Sequence, residues 1–115
     1  MDLDGRSKLL RVFTGEIDKI GHTPLYEAIV KAARKEGIAG ATVLRGILSY
    51  GASTRLHTAQ LIDISEDLPI VNEMVDTEEM IDRFLPVLRG LFDQCGRGGL
   101  ITTEQVNVLY YKPRK

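Results

Sequence analysis

The chain contains no tryptophan, one cysteine, two histidines and four prolines among its 115 residues. With Cys95 alone, no intrachain disulfide can form, which fits a reducing compartment. His22, His57 and Cys95 are too few for a four-ligand zinc site of the Cys/His type. No apolar run approaches the roughly 18 residues of a membrane span. The opening MDLDGRSKLL has neither the basic start nor the long apolar stretch of a secretory leader. An excess of one charge is missing too. Fifteen Lys+Arg against sixteen Asp+Glu leave a net charge of -1, so no overall field steers the chain toward nucleic acid or anionic lipid. With no repeat, low-complexity tract or linker, the expectation is one cytoplasmic domain over residues 1–115. It is expected to bind no nucleic acid and not to be a membrane protein itself.

What is present is ordinary globular composition, 43% hydrophobic and 27% charged, in a chain long enough to bury a core without disulfides or metal. Residues 7–15 alternate as a strand, with Leu10 and Val12 on one face and Leu9 and Phe13 on the other. Thr23 and Pro24 read as N-cap and first residue of a helix carrying Leu25, Ala28, Ile29, Ala32 and Ala33 inward, ended by Gly37. Residues 41–50 read as a second strand, 51–55 as a polar loop, 59–64 as a short strand, 65–67 as a turn and 68–75 as a further strand. Asp76, with Glu79 three residues on, is expected to cap a second helix that buries Ile81, Phe84, Leu85, Leu88, Leu91 and Phe92 and contains Pro86. Residues 94–99 form a turn, and two extended segments, 100–103 and 106–111, close the chain. The order is that of an α+β, ferredoxin-like βαββαβ sandwich. Two helices cover one face of such a sheet. Strands apolar on both faces then call for a symmetric homo-oligomer to cover the other.

No catalytic constellation stands out. Cys95 has no base beside it in sequence, and Asp76, Glu78 and Glu79 are accounted for by the helix start. Asp63, Glu66 and Asp67 read as a solvated turn. The informative stretch is Gly96-Arg97-Gly98-Gly99. Its glycines can present consecutive backbone N–H groups to an anion, and Arg97 adds a forked donor, although the turn also reads as a plain connection. A second candidate is the loop bearing Ser53, Thr54, Arg55 and His57, whose hydroxyls and guanidinium suit phosphate or carboxylate. Lys112, Arg114 and Lys115 make the end of the chain basic. Tyr110 and Tyr111 beside them could stack on bases, but neighbours in a strand face opposite ways, which leaves one per surface.

The runs Pro24–Ile29, Gly40–Ile47, Gly51–Ala59, Ser65–Val71 and Val75–Glu79 resemble, in order and over about residues 8 to 111, a family of small bacterial and archaeal proteins of unknown function described as PII-like. The resemblance implies a trimer related to the nitrogen regulatory PII signalling proteins. Those bind adenine nucleotides at clefts between subunits and contact targets through a loop between their second and third strands. Here that loop corresponds to about residues 49–60 and is short. Gly96–Ile101 is similar to the PII phosphate turn Gly-Asp-Gly-Lys-Ile, but Arg97 stands at the aspartate position and the lysine is missing. Lys112 and Arg114 fall where PII arginines reach phosphate. The resemblance thus implies a non-enzymatic regulator that takes ATP, ADP or AMP, with Mg2+ in attendance, on Gly96–Gly99, Ser53, Thr54, Arg55, Lys112 and Arg114. Its partner would be a regulated transporter or enzyme. The readings kept beside it are a ligand-free interaction adaptor and a small metal-dependent enzyme using His57, Asp63 or Glu66.

Overall fold

The computed structural model describes residues 5–46, 48–50, 56–58 and 68–114, the two short middle segments by their backbone alone. Alternation in the first strand sets the layout. In β1 (Gly5–Gly15), Leu10, Val12 and Thr14 are buried on one face, while Leu9, Arg11 and Phe13 remain half-buried on the other. β7 (Pro69–Asp76) alternates in the same way, burying Ile70, Asn72, Met74 and Asp76. Between them come the two-residue pair β2 (Lys19–Ile20) and β3 (Thr23–Pro24), the helix α1 (Leu25–Lys35), β4 (Thr42–Arg45), and the short strands β5 (Leu48–Tyr50) and β6 (Leu56–Thr58). The helix α2 (Glu78–Cys95) and β8 (Leu100–Val108) follow β7.

The main sheet has the order β4-β7-β1-β8 and is antiparallel throughout. β1 and β4 are parallel to each other across β7 and joined through α1. β7 and β8 are parallel across β1 and joined through α2. Two interlocked βαβ units of this kind are the ferredoxin-like arrangement expected from the sequence. Both helices lie on the face of Leu10 and Val12. There Leu25, Ile29 and Ala33 of α1 meet Ile81, Phe84 and Leu88 of α2 in one core. Leu85, Leu91 and Phe92, expected inside, are partly buried at its margin.

Several boundaries differ from the expected ones, each for a local reason. α1 starts at Leu25, because Thr23 and Pro24 pair with β2 and the Leu25 N–H is taken by the Asp18 carbonyl at 2.8 Å. α2 is capped by Thr77, whose hydroxyl accepts the Met80 N–H at 3.2 Å. Asp76 is the end of the preceding strand. The second strand breaks at Gly46, whose N–H donates to the Pro69 carbonyl at 2.7 Å. A Cβ there would come within 2.6 Å of the Pro69 ring. β5, inside the strand expected over 41–50, pairs antiparallel with β6, which follows the expected loop 51–55 and was not expected as a strand. The strand expected over 59–64 and the turn at 65–67 lie outside the described residues. The last strand is continuous from Leu100 to Val108, held across Glu104 and Gln105 by its register with Leu9 and Lys8. It ends before the tyrosines.

The uncovered face carries Leu9, Phe13, Val71 and Val75 in its centre and Leu44 and Leu100 on its edges. It is not wholly apolar, as strand patterning had implied. Arg11 stands in the middle, its Nε donating to Glu73 at 2.9 Å and its Nη1 to Glu104 at 2.6 Å. The hydrogen bond to Glu73 and the charge of Glu104 hold the Arg11 pKa above its ordinary value. On the helix side, the hydrogen bond to Asp82 raises that of Lys8.

Candidate functional site

Gly96–Gly99 joins α2 to β8. Gly96 takes the left-handed conformation, φ 75°, and closes α2 as its N–H donates to the Phe92 carbonyl at 2.9 Å. That donor therefore belongs to the helix and is not offered to an anion. Gly99 is required by packing, since a Cβ would run into the Phe92 ring and lie 2.8 Å from the Phe13 carbonyl. Gly98 faces open space. Arg97 is exposed, and its Nε lies 3.4 Å from Oδ1 of Asp18, a carboxylate only 5% exposed. The other oxygen of Asp18 accepts the Gly15 N–H at 2.9 Å.

β4 ends beside Ile70, and Ile70 pairs with Thr14, so the chain leaves Arg45 for the β5–β6 hairpin at the same end of the sheet as the glycine turn. In sequence, Ser53, Thr54 and Arg55 fall between β5 and β6, and His57 falls in β6. The first three lie outside the described residues, and of His57 only the backbone is described.

Lys112 and Arg114 stand elsewhere. They follow Val108, which pairs with Gly5 at the far end of β1. Eight rises of about 3.3 Å along this nine-residue strand put about 26 Å between the two ends of β8. One subunit therefore does not bring Arg97 and Arg114 to the same ligand. Lys112 is exposed. Arg114 borders a groove of about 730 Å³ that the sequence pattern does not locate. Its floor is the end of the uncovered face, with Leu9, Val75 and Val108. One wall is the segment Ala39–Thr42 behind α1, and the other is Tyr110 and Tyr111. Because β8 stops at Val108, strand alternation does not separate the two tyrosines, and both line the groove. Glu73 contributes a carboxylate, already engaged by Arg11. Asp76 fixes the wall, its Oδ2 accepting the Ala39 N–H at 2.8 Å and its Oδ1 the Thr77 N–H at 2.7 Å. Leu9 was legible on the second face of its strand. That this face ends against the C-terminal segment was not.

Among the described residues no cluster of three or more His, Cys, Asp and Glu is disposed to hold a metal ion. No helix there is long and apolar enough to cross a membrane.

The sheet order, the two helices on one face and the glycine turn before the last strand define a PII-like fold. The chain belongs to the DUF190 family, described as "Uncharacterized ACR", which it matches over residues 7–108. It is 38% identical over 105 residues to a UPF0166 protein of Aquifex aeolicus, covering 91% of this chain and 95% of that one. It is 35% identical over 103 residues to a UPF0166 protein of Methanocaldococcus jannaschii, covering 90% and 92%. Among solved structures it resembles CPII from Thiomonas intermedia K12, a nitrogen regulatory PII-like protein bound to ADP, AMP and bicarbonate. The TM-score is 0.69 at 16% identity, with 91% and 90% of the chains covered. A PII-like signalling protein from Thermus thermophilus has a TM-score of 0.63 at 20% identity, with 92% and 91% covered. At these identities the likeness shows the fold.

Proposed function

We propose that this protein is a non-enzymatic regulator that binds an adenine nucleotide, with or without Mg2+, at clefts between the subunits of a homotrimer and thereby modulates a partner transporter or enzyme. The carrying observation is the groove beside Arg114. A nucleotide has a flat, largely apolar base and a multiply charged tail. Leu9, Val75 and Val108 below and two tyrosines beside offer the first a slot, while the Thr42 and Glu73 side chains offer polar edges. The tail needs cations and small residues, which Arg114 and, at the other end of the sheet, Arg97 with its glycines provide. The separation of about 26 Å between those ends in one subunit favours a composite cleft, in which the turn of one subunit faces the groove of the next. The β5–β6 hairpin would bring Ser53, Thr54 and Arg55 to the phosphate end, where ligand-dependent ordering changes the surface a partner meets. That CPII, of the same fold, has been solved with ADP and AMP supports the choice of nucleotide.

Calorimetry of nucleotide-stripped protein against ATP, ADP, AMP and cyclic adenine nucleotides, each with and without Mg2+, tests this. The expected result is micromolar binding near one ligand per subunit, weakened at least tenfold in Arg114→Ala, as loss of a charged hydrogen bond of about 1.5–3 kcal/mol requires. No binding across the series would overturn the nucleotide reading.

A further inference from the structure

The glycine turn is one wall of a second groove, of about 660 Å³, between the last turns of α2 and the start of β8. Arg89, Phe92, Asp93 and Gly96 line it at spacing i, i+3, i+4 and i+7, a single stripe of the helix. Arg97 closes the other side. Arg89 makes no ion pair among the described residues. Asp93, one turn on, is not within ion-pairing distance of it, although the two charges are opposite.

Arg97 differs from a loose surface arginine in having a rigid anchor. Asp18 is buried and accepts the Gly15 N–H, and its own carbonyl accepts the first N–H of α1. The Asp18 carboxylate meets the Nε edge of the guanidinium. The terminal nitrogens remain as a fork for a bidentate anion. The C-terminal end of α2 and the Asp93 carboxylate both repel an anion, so the two guanidinium groups must decide the outcome.

We propose that this groove is a phosphate subsite in which Arg89 is a second guanidinium ligand beside Arg97, and that Asp18 is the positioning residue that aims Arg97 into it. The proposal rests on the reading that the Gly96–Gly99 turn takes phosphate, and it names the side chains that would hold it. The phosphate is that of a bound nucleotide or of a free inorganic anion, and the experiment separates the two sources.

The test is a 15N NMR titration of the full chain with inorganic pyrophosphate, ADP and adenosine in turn. It follows the Gly98 and Gly99 amides, the Arg89 and Arg97 Nε–Hε groups, and the Ala39–Thr42 amides of the other groove. Pyrophosphate or ADP should move the first two sets, and adenosine should leave them unmoved. Arg89→Gln should weaken pyrophosphate binding about tenfold, the equivalent of one charged hydrogen bond. Asp93→Asn, which removes a like charge from the rim, should tighten it about twofold, the scale of an exposed charge pair. Asp18→Asn should weaken it while the adenosine response at Ala39–Thr42 stays as in the parent, and Asp18→Glu should recover part of the loss. Arg89 and Asp93 are exposed, so those two variants remain informative if Asp18→Asn does not fold. An unchanged affinity in Arg89→Gln, or Gly98 and Gly99 amides that neither phosphate probe moves, overturns the proposal. Pyrophosphate binding without any adenosine or ADP response in the other groove keeps this subsite and removes the nucleotide reading. Adenosine binding without pyrophosphate or ADP shifts at the turn does the reverse.

Discussion

Two residues carry more of the architecture than their size implies. Asp76 is fully buried, and its carboxylate holds the Ala39 and Thr77 N–H groups at 2.8 and 2.7 Å. It thereby ties the wall of the Arg114 groove to the junction of β7 and α2. Asp76→Ala leaves two half-buried donors, the Ala39 and Thr77 N–H groups, without their charged acceptor, and with partial access to water the combined cost is about 2 kcal/mol. The expected outcome in urea unfolding is a loss of that size, about half as large in Asp76→Asn, whose amide oxygen can still accept one N–H. Gly99 is the second. An added methyl would meet the Phe92 ring and the backbone carbonyl of Phe13, and the carbonyl cannot turn aside. Gly99→Ala should therefore cost about 1–3 kcal/mol as overpacking. Gly98→Ala, where nothing lies within 4 Å, should stay near the parent in the same measurement. Equal losses at the two positions would mean that backbone freedom, not contact with Phe92, sets the requirement.

At the scale of elements, alternation made β1 and β7 legible, because Leu10, Val12, Ile70 and Met74 are buried on the helix side while Leu9, Phe13, Val71 and Val75 lie on the other. Helical spacing did the same for α1 and α2. Boundaries set by partners distant in sequence were not legible. Glu104 and Gln105 look like a break between two extended segments, yet β1 alongside supplies a register that carries β8 through them. Gly46 looks like an ordinary strand glycine, and what requires it is the Pro69 ring, which a Cβ there would meet. Thr77 displaces Asp76 as the cap because Asp76 is already engaged by the loop behind α1. The same reasoning applies to the candidate site. The glycine turn and the basic end of the chain can each be read from sequence, as can Arg97 and Arg114 as cations. The distance between them follows from the unbroken length of β8. The Asp18 anchor of Arg97 joins residues 79 positions apart, which no local pattern encodes.

At the scale of the molecule, the uncovered face poses the remaining question of assembly. Leu44 and Leu100 sit on its two edges at 48% and 54% exposure, with Leu9, Phe13, Val71 and Val75 between them. Arg11 at the centre is paired within the subunit by both Glu73 and Glu104, so burying this face leaves no unpaired guanidinium, and the three groups together carry one net negative charge. A face with an apolar rim and a centre whose charges are paired within the subunit suits a symmetric contact, whereas a face exposed to water has no need of the rim. Leu44→Glu combined with Leu100→Glu changes two edge positions that contribute little to the monomer's own core. It would place like charges on every subunit of the proposed trimer. Light scattering should then give the monomer mass while far-UV circular dichroism stays that of the parent. The same variant also separates a composite cleft from a groove complete in itself. Loss of ADP binding together with the trimer means that the turn of one subunit serves the groove of another. ADP binding retained by the monomer would confine the site to the Arg114 groove and leave the glycine turn to a separate ligand.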